Sequence, residues 1–124
     1  MTQQVPEPTT GITRIIKAAG YSWQGIQYAW RNEAAFRQET ILCIVGTLIA
    51  IISDTSSIEK VLLILSLGFV IIVEILNSAV EAVVDRFGKE FHDLSKAAKD
   101  MGSAAVLLSL GLAGLTWALI FWPW

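Results

Sequence analysis

The chain has one cysteine, one histidine and no surplus of positive charge, and each shortage removes a class of protein. Cys43 alone allows neither an internal disulfide nor a cysteine-based zinc site, and inside an apolar run it is expected to pack as a small hydrophobe. A net charge of −2 leaves no basic surface of the kind nucleic acid requires, so DNA and RNA are set aside. Met1 to Pro8 is polar and proline-bearing, so no signal peptide is expected and insertion would rely on later segments. No G-x-x-x-x-G-K-[ST] loop occurs, and neither the glycine-rich loop nor the catalytic-loop set of protein kinases is present. A nucleotide site here would have to be of another design. Internal repeats and low-complexity tracts are also missing.

What the chain does have is apolar length. Hydrophobic residues make up 54% of it and mean hydropathy is +0.58, too apolar for an ordinary soluble domain. Three runs, 36–52, 61–84 and 101–122, each approach the ~20 residues that cross ~30 Å of hydrocarbon. The expected fold is an all-α membrane protein with three transmembrane helices preceded by an amphipathic surface helix, a single domain overall. Its parts are a disordered 1–9, a surface helix 10–33 capped by Thr10 or Thr13 and interrupted at Gly20, spans at 34–53, 61–84 and 101–122, a short turn at 54–60 and a polar segment at 85–100 with Ser95 as a helix cap. The uncharged part of the first span covers only Thr40 to Ser53, so it recruits the helix leading in from Ala34. Arg14, Lys17, Arg31 and Arg37 precede the first span, Lys60 alone follows it, and Arg86, Lys89, Lys96 and Lys99 follow the second. By the positive-inside rule the amino terminus and 85–100 are cytoplasmic, and the 54–60 turn and carboxyl terminus face outward. Trp117, Phe121, Trp122 and Trp124 form an outer aromatic anchor in this reading.

Against that apolar background, Glu74, Asn77, Ser78, Glu81 and Asp85 fall on one helical stripe. A carboxylate at membrane depth costs roughly 2.5 kcal/mol or more, so such a group points to function unless it finds a partner. Glu33 and Glu39 reach the same boundary from the amino-terminal side, and Lys99, Asp100 and Ser103 open the third span. Glu74 lies deepest, about 9 to 15 Å inside along the helix axis. Carboxylates without His or Cys neighbours favour hard cations such as Mg²⁺, often shared with substrate phosphates. Glu33 and Glu81 suit that role, Lys99 supplies a point charge for phosphates, and Glu74 can take a proton from a lipid hydroxyl. Phosphoryl transfer at a membrane boundary unites these groups. Plainer uses stay open: Asp85 as a solvated helix end, Glu39 paired with Arg37, His92 as a loop residue, and Asn77 and Ser78 bonding neighbouring helices. A proton-conducting subunit relaying through Glu74 and Glu81 is the competing functional class, and a structural module without chemistry is the third. Three thin helices offer little shelter to a polar site, so oligomerisation is expected.

Four strings carry a resemblance: Thr13 to Trp23, Asn32 to Glu39, Glu74 to Arg86 with the pattern E-x-x-N-S-x-x-E-x-x-x-D, and Lys99 to Val106. From about Gly11 to Trp122 the chain resembles the small integral-membrane diacylglycerol kinases of bacteria. The resemblance implies a homotrimer of three-span subunits in the inner membrane that transfers the γ-phosphoryl group of ATP to diacylglycerol, giving phosphatidic acid. It further implies Glu74 as general base and Glu33 and Glu81 as holders of the divalent metal on ATP. Arg14, Tyr21, Glu33, Glu81, Glu90, His92, Lys99 and Asp100 would form the ATP site. Arg14, Trp23, Trp30, Glu39, Glu74 and Ser103 would border the lipid, with Asn77 supporting the base. A related branch of the family phosphorylates undecaprenol, and the long amino-terminal helix here looks more like the diacylglycerol branch.

Overall fold

The computed structural model describes residues 3–8 and 10–124, and all regular structure among them is helical. The expected disorder of 1–9 falls partly on Met1, Thr2 and Thr9, outside the described residues; 3–8 adopt no helix or strand. Four helices follow: α1 Gly11–Asn32, α2 Ala34–Ile52, α3 Ser57–Asp85 and α4 Asp93–Phe121. The last three are long and apolar enough to cross a membrane. At 29 residues, α3 and α4 each extend ~43 Å, more than the hydrocarbon thickness, so each has a polar end to spare. Gly20 does not interrupt α1, which runs through it unbroken; one glycine weakens a helix by about 1 kcal/mol without ending it.

Each connection is tied by named groups. Between α1 and α2, Glu33 alone adopts extended backbone, and the Arg37 guanidinium donates to the Trp30 and Arg31 carbonyl oxygens at 2.7 and 3.3 Å. Between α2 and α3, Ser56 and Glu59 form a reciprocal capping box, the Ser56 N–H donating to Glu59 Oε2 at 2.7 Å and the Glu59 N–H to Ser56 Oγ at 3.2 Å. Lys60, counted from sequence as the one cation following the first span, donates to the carbonyl oxygens of Ala50, Ile51 and Ser53, neutralising the exposed end of α2. Between α3 and α4 the chain turns at Gly88, whose φ of 97° suits only glycine. The cap of α4 is His92 rather than Ser95: its Nδ1 accepts from the Leu94 N–H at 3.1 Å. Lys96, Lys99 and Asp100 thereby stand on the first turns of a helix.

α3 is the central element. It packs against α2, α4 and α1, while α2 and α4 make no backbone approach to each other. The buried apolar side chains are few and mostly small or on α3: Ala29, Phe36, Cys43, Ala50, Leu63, Leu67, Val70 and Ala113. Cys43 packs as expected, buried with its Sγ 3.4 Å from the Leu67 carbonyl oxygen. Large side chains such as Leu107 and Leu108 point outward, as lipid-facing residues do when the solvent is hydrocarbon. Trp117 leaves the expected outer anchor and enters the α3–α4 seam, its Nε1 donating to Ser66 Oγ at 3.2 Å.

Close approach of α4 to α3 depends on Gly102, where a Cβ would collide with the Asn77 carboxamide oxygen. Gly111 has nothing within 4 Å of such an atom. Gly102→Leu is therefore expected to cost about 1–3 kcal/mol through overpacking, read as a lowered unfolding midpoint in detergent micelles, whereas Gly111→Leu leaves the midpoint unchanged.

Candidate active site

The most buried carboxyl group is that of Glu74, 4% exposed and set on α3 one turn beyond the buried Val70. The sequence argument assigned such shelter to neighbouring subunits, but a single chain supplies it here. Glu39 comes from α2, and its carboxyl group meets that of Glu74 side chain to side chain. It does not pair with Arg37, whose guanidinium is engaged with α1 carbonyl oxygens. Glu81, two turns along α3, and Glu33, at the α1–α2 elbow, both lie within electrostatic reach of Glu74. Four carboxyl groups from three places in the chain thus converge. One oxygen of Glu39 is buried without a partner, as are Thr40 Oγ1, Asn77 Oδ1 and Ser78 Oγ. Buried polar atoms left unpaired are costly, and their concentration around one carboxyl group marks a place built for a polar ligand or partner.

A second group of residues lies where α3 gives way to α4. Asp85, Glu90, His92, Lys96, Lys99 and Asp100 line an open cleft of about 770 Å³. The Lys99 ammonium lies 2.6 Å from Asp85 Oδ1 and within electrostatic reach of Glu81, which links this cleft to the carboxyl cluster. Lys96 and Asp100 form a pair at 2.5 Å one turn apart on α4. With Nδ1 accepting the capping bond, neutral His92 carries its proton on Nε2, which remains available as a donor.

The other residues expected at the site stand outside the lining of this cleft. Arg14 and Tyr21 share a cavity of about 520 Å³ with Glu7 and Lys17, and it has no lining residue in common with the cleft. Trp23 and Trp30 stand with Phe36 and Thr40 around a pocket of about 360 Å³ in the crook of α1 and α2. Ser103 is exposed on α4. Asp85, named on the Glu74 stripe from spacing and read as a solvated helix end, pairs with Lys99. Thr40, beside Glu39, was not singled out, and its place in an apolar run offered no signal.

Among the described residues, no group of three His, Cys, Asp or Glu side chains could hold a metal ion unaided. Glu33 and Glu81, each within electrostatic reach of Glu74, are carboxylates of the kind that suits the alternative, an ion such as Mg²⁺ that arrives with phosphate oxygens and water and takes only one or two protein ligands.

Comparison with known proteins shows the family. The prokaryotic diacylglycerol kinase family matches residues 20–121. The diacylglycerol kinase of Escherichia coli strain K12 is 60% identical over 114 residues, covering 92% of this chain and 93% of that protein. Those of Pseudomonas aeruginosa and Haemophilus influenzae are 50% and 48% identical, covering 90% and 88% of this chain and 90% and 92% of their own. With nearly the whole length matched at such identity, the chain belongs to the prokaryotic diacylglycerol kinase family.

Proposed function

We propose that this protein is an ATP-dependent lipid kinase of the inner membrane, transferring the γ-phosphoryl group of ATP to the hydroxyl of diacylglycerol to give phosphatidic acid. Family membership supports the activity, and one observation supports its location: a carboxyl group buried in an apolar span with three other carboxyl groups in reach. In this reading α1 lies along the cytoplasmic membrane surface as an amphipathic helix, the α3–α4 loop is cytoplasmic, and the α2–α3 turn and carboxyl terminus face the periplasm.

Glu74 acts as general base, taking the proton of the lipid hydroxyl as that oxygen attacks the γ-phosphorus. Glu39, in contact with Glu74, gives the proton a second resting place and helps hold the glycerol. Glu33 and Glu81 would hold a divalent ion, which when bound supplies charge neutralisation on the transferring phosphates. Lys99, steadied by Asp85, places its ammonium against the same phosphates. Glu90, His92 and Asp100 complete the nucleotide cleft with Arg14 and Tyr21, while Arg14, Trp23, Trp30 and Ser103 border the lipid and Asn77 supports Glu74. Arg14 and Tyr21 line a cavity that shares no residue with the cleft, which supports a homotrimer in which one copy's α1 completes the nucleotide site of its neighbour.

Purified protein in mixed micelles is expected to move label from γ-labelled ATP to diacylglycerol, with little transfer to undecaprenol run in parallel. Glu74→Gln should lower kcat at least about a hundredfold while nucleotide affinity is retained; undiminished transfer removes Glu74 as the base. Chelation of divalent ions should stop wild-type turnover, and Glu81→Ala should raise the Mg²⁺ concentration needed for half-maximal rate; an unshifted requirement removes Glu81 from the metal site.

A further inference from the structure

A serine or threonine inside a helix can satisfy its hydroxyl on the carbonyl oxygen three or four residues back. Ser22, Ser66, Ser109 and Thr116 do so, at 2.7 to 2.9 Å from the oxygens of Ala18, Leu63, Val106 and Leu112. Ser78, in the interior of α3, does not: its Oγ is buried and has no hydrogen-bond partner among the described residues. A helical serine has such a bond close at hand. Leaving this hydroxyl buried and unpaired is a cost that the folded chain by itself does not explain.

The position of Ser78 on α3 supplies the explanation. It follows Glu74 by four residues and precedes Glu81 by three, so it stands on the same stripe between them, about 6 Å along the axis from the first and about 4.5 Å from the second. In the lipid-kinase reading those carboxylates are the base on the lipid hydroxyl and a holder of the ion on ATP, and the phosphoryl group passes between them. Ionised carboxylates only accept hydrogen bonds; of Glu74, Ser78, Glu81 and Asp85, the serine is the one built to donate. The adjacent unpaired atom, Asn77 Oδ1, faces α4 instead, so near Gly102 that a Cβ there would collide with it. Lys99 is held at the far end of the stripe by Asp85. No other donor on this face of α3 lies between the base and the metal ligand.

We propose that Ser78 is a further catalytic residue of the transfer, its Oγ–H donating to a non-bridging oxygen of the γ-phosphoryl group as that group moves from ATP to the lipid. The inference rests on the lipid-kinase reading. Ser78 forms no covalent bond in this step. The lipid oxygen bonds to the γ-phosphorus, the bond from that phosphorus to the oxygen it shares with the β-phosphorus breaks, ADP leaves with the electron pair, and the hydroxyl proton goes to Glu74. Charge in the transition state is spread over three equatorial oxygens, and a donor already in place in a water-poor site stabilises it without reorganisation. The unpaired hydroxyl of the resting enzyme is the stability given up for that readiness.

The test uses the full chain in mixed micelles. Ser78→Ala is expected to lower kcat at least about tenfold with KM for ATP and for diacylglycerol near wild type, while Ser78→Thr, which keeps the hydroxyl, recovers most of the rate. The unfolding midpoint of Ser78→Ala should equal or exceed that of wild type, because the substitution removes an unpaired buried group. Replacing ATP by its γ-thio analogue, whose sulfur accepts hydrogen bonds poorly, should slow Ser78→Ala by a smaller factor than it slows wild type. Ser109→Ala, equally helical but with its hydroxyl satisfied by the Val106 carbonyl oxygen, should leave kcat unchanged. A wild-type kcat in Ser78→Ala, or a wild-type thio effect, overturns the inference. So does a loss of rate accompanied by a lowered midpoint or a changed oligomeric state by light scattering, which would make Ser78 a packing hydrogen bond to a second copy of the chain. Failure of the wild-type protein to phosphorylate diacylglycerol at all would refute the lipid-kinase reading, and the inference with it.

Discussion

Glu74 is a carboxyl group placed where water does not reach, and the rest of the structure accommodates it. α3 bears the group on a helix otherwise made to face hydrocarbon, and the flanking helices cover it: α2 brings Glu39 to it, and α4 comes close enough at Gly102 to trap Asn77 one turn further on. The elbow between α1 and α2 is a single extended residue, and that residue is Glu33. The geometry that bends the chain at the boundary also delivers a carboxylate to the cluster.

A lipid kinase must bring together two reactants that prefer different solvents. The observed arrangement divides the task along the axis of α3. Toward mid-span a groove beside Leu67 and Val70 is apolar, around Glu74 the polar groups are buried, and beyond Asp85 the cleft with Lys99 and His92 is open. Helices longer than the hydrocarbon is thick make this gradient available, since their final turns stand in the headgroup region. In the proposed site, phosphate would need no glycine-rich loop, because carboxylates sharing a cation and a lysine paired with Asp85 would supply the charge.

Some of this was legible in the sequence because it depends on local periodicity. The stripe from Glu74 to Asp85 follows from helical spacing alone, and the three apolar runs follow from length and composition. Features that depend on distant partners were not legible. Lys60 and Arg37 were read as membrane-flanking charges, yet both spend their donors on backbone carbonyl oxygens that sequence does not distinguish. Trp117 was placed with the terminal aromatics, and its actual partner, Ser66, lies 51 residues away. The cap of α4 was expected at Ser95 because serine is a favoured cap, and the observed cap is His92, three residues earlier. Cover for the polar site was expected from an oligomer; in the structure the helices packed around α3 already bury Glu74.

The central claim, a single reaction site at one face of the membrane, is tested most directly by sidedness. In a Cys43→Ala background, single cysteines at Glu33 and Lys99 are to be labelled with a membrane-impermeant maleimide in oriented vesicles. The account predicts that both positions react only when the cytoplasmic face is exposed. Reaction of the two from opposite faces would separate the carboxyl cluster from the phosphate cleft and contradict it.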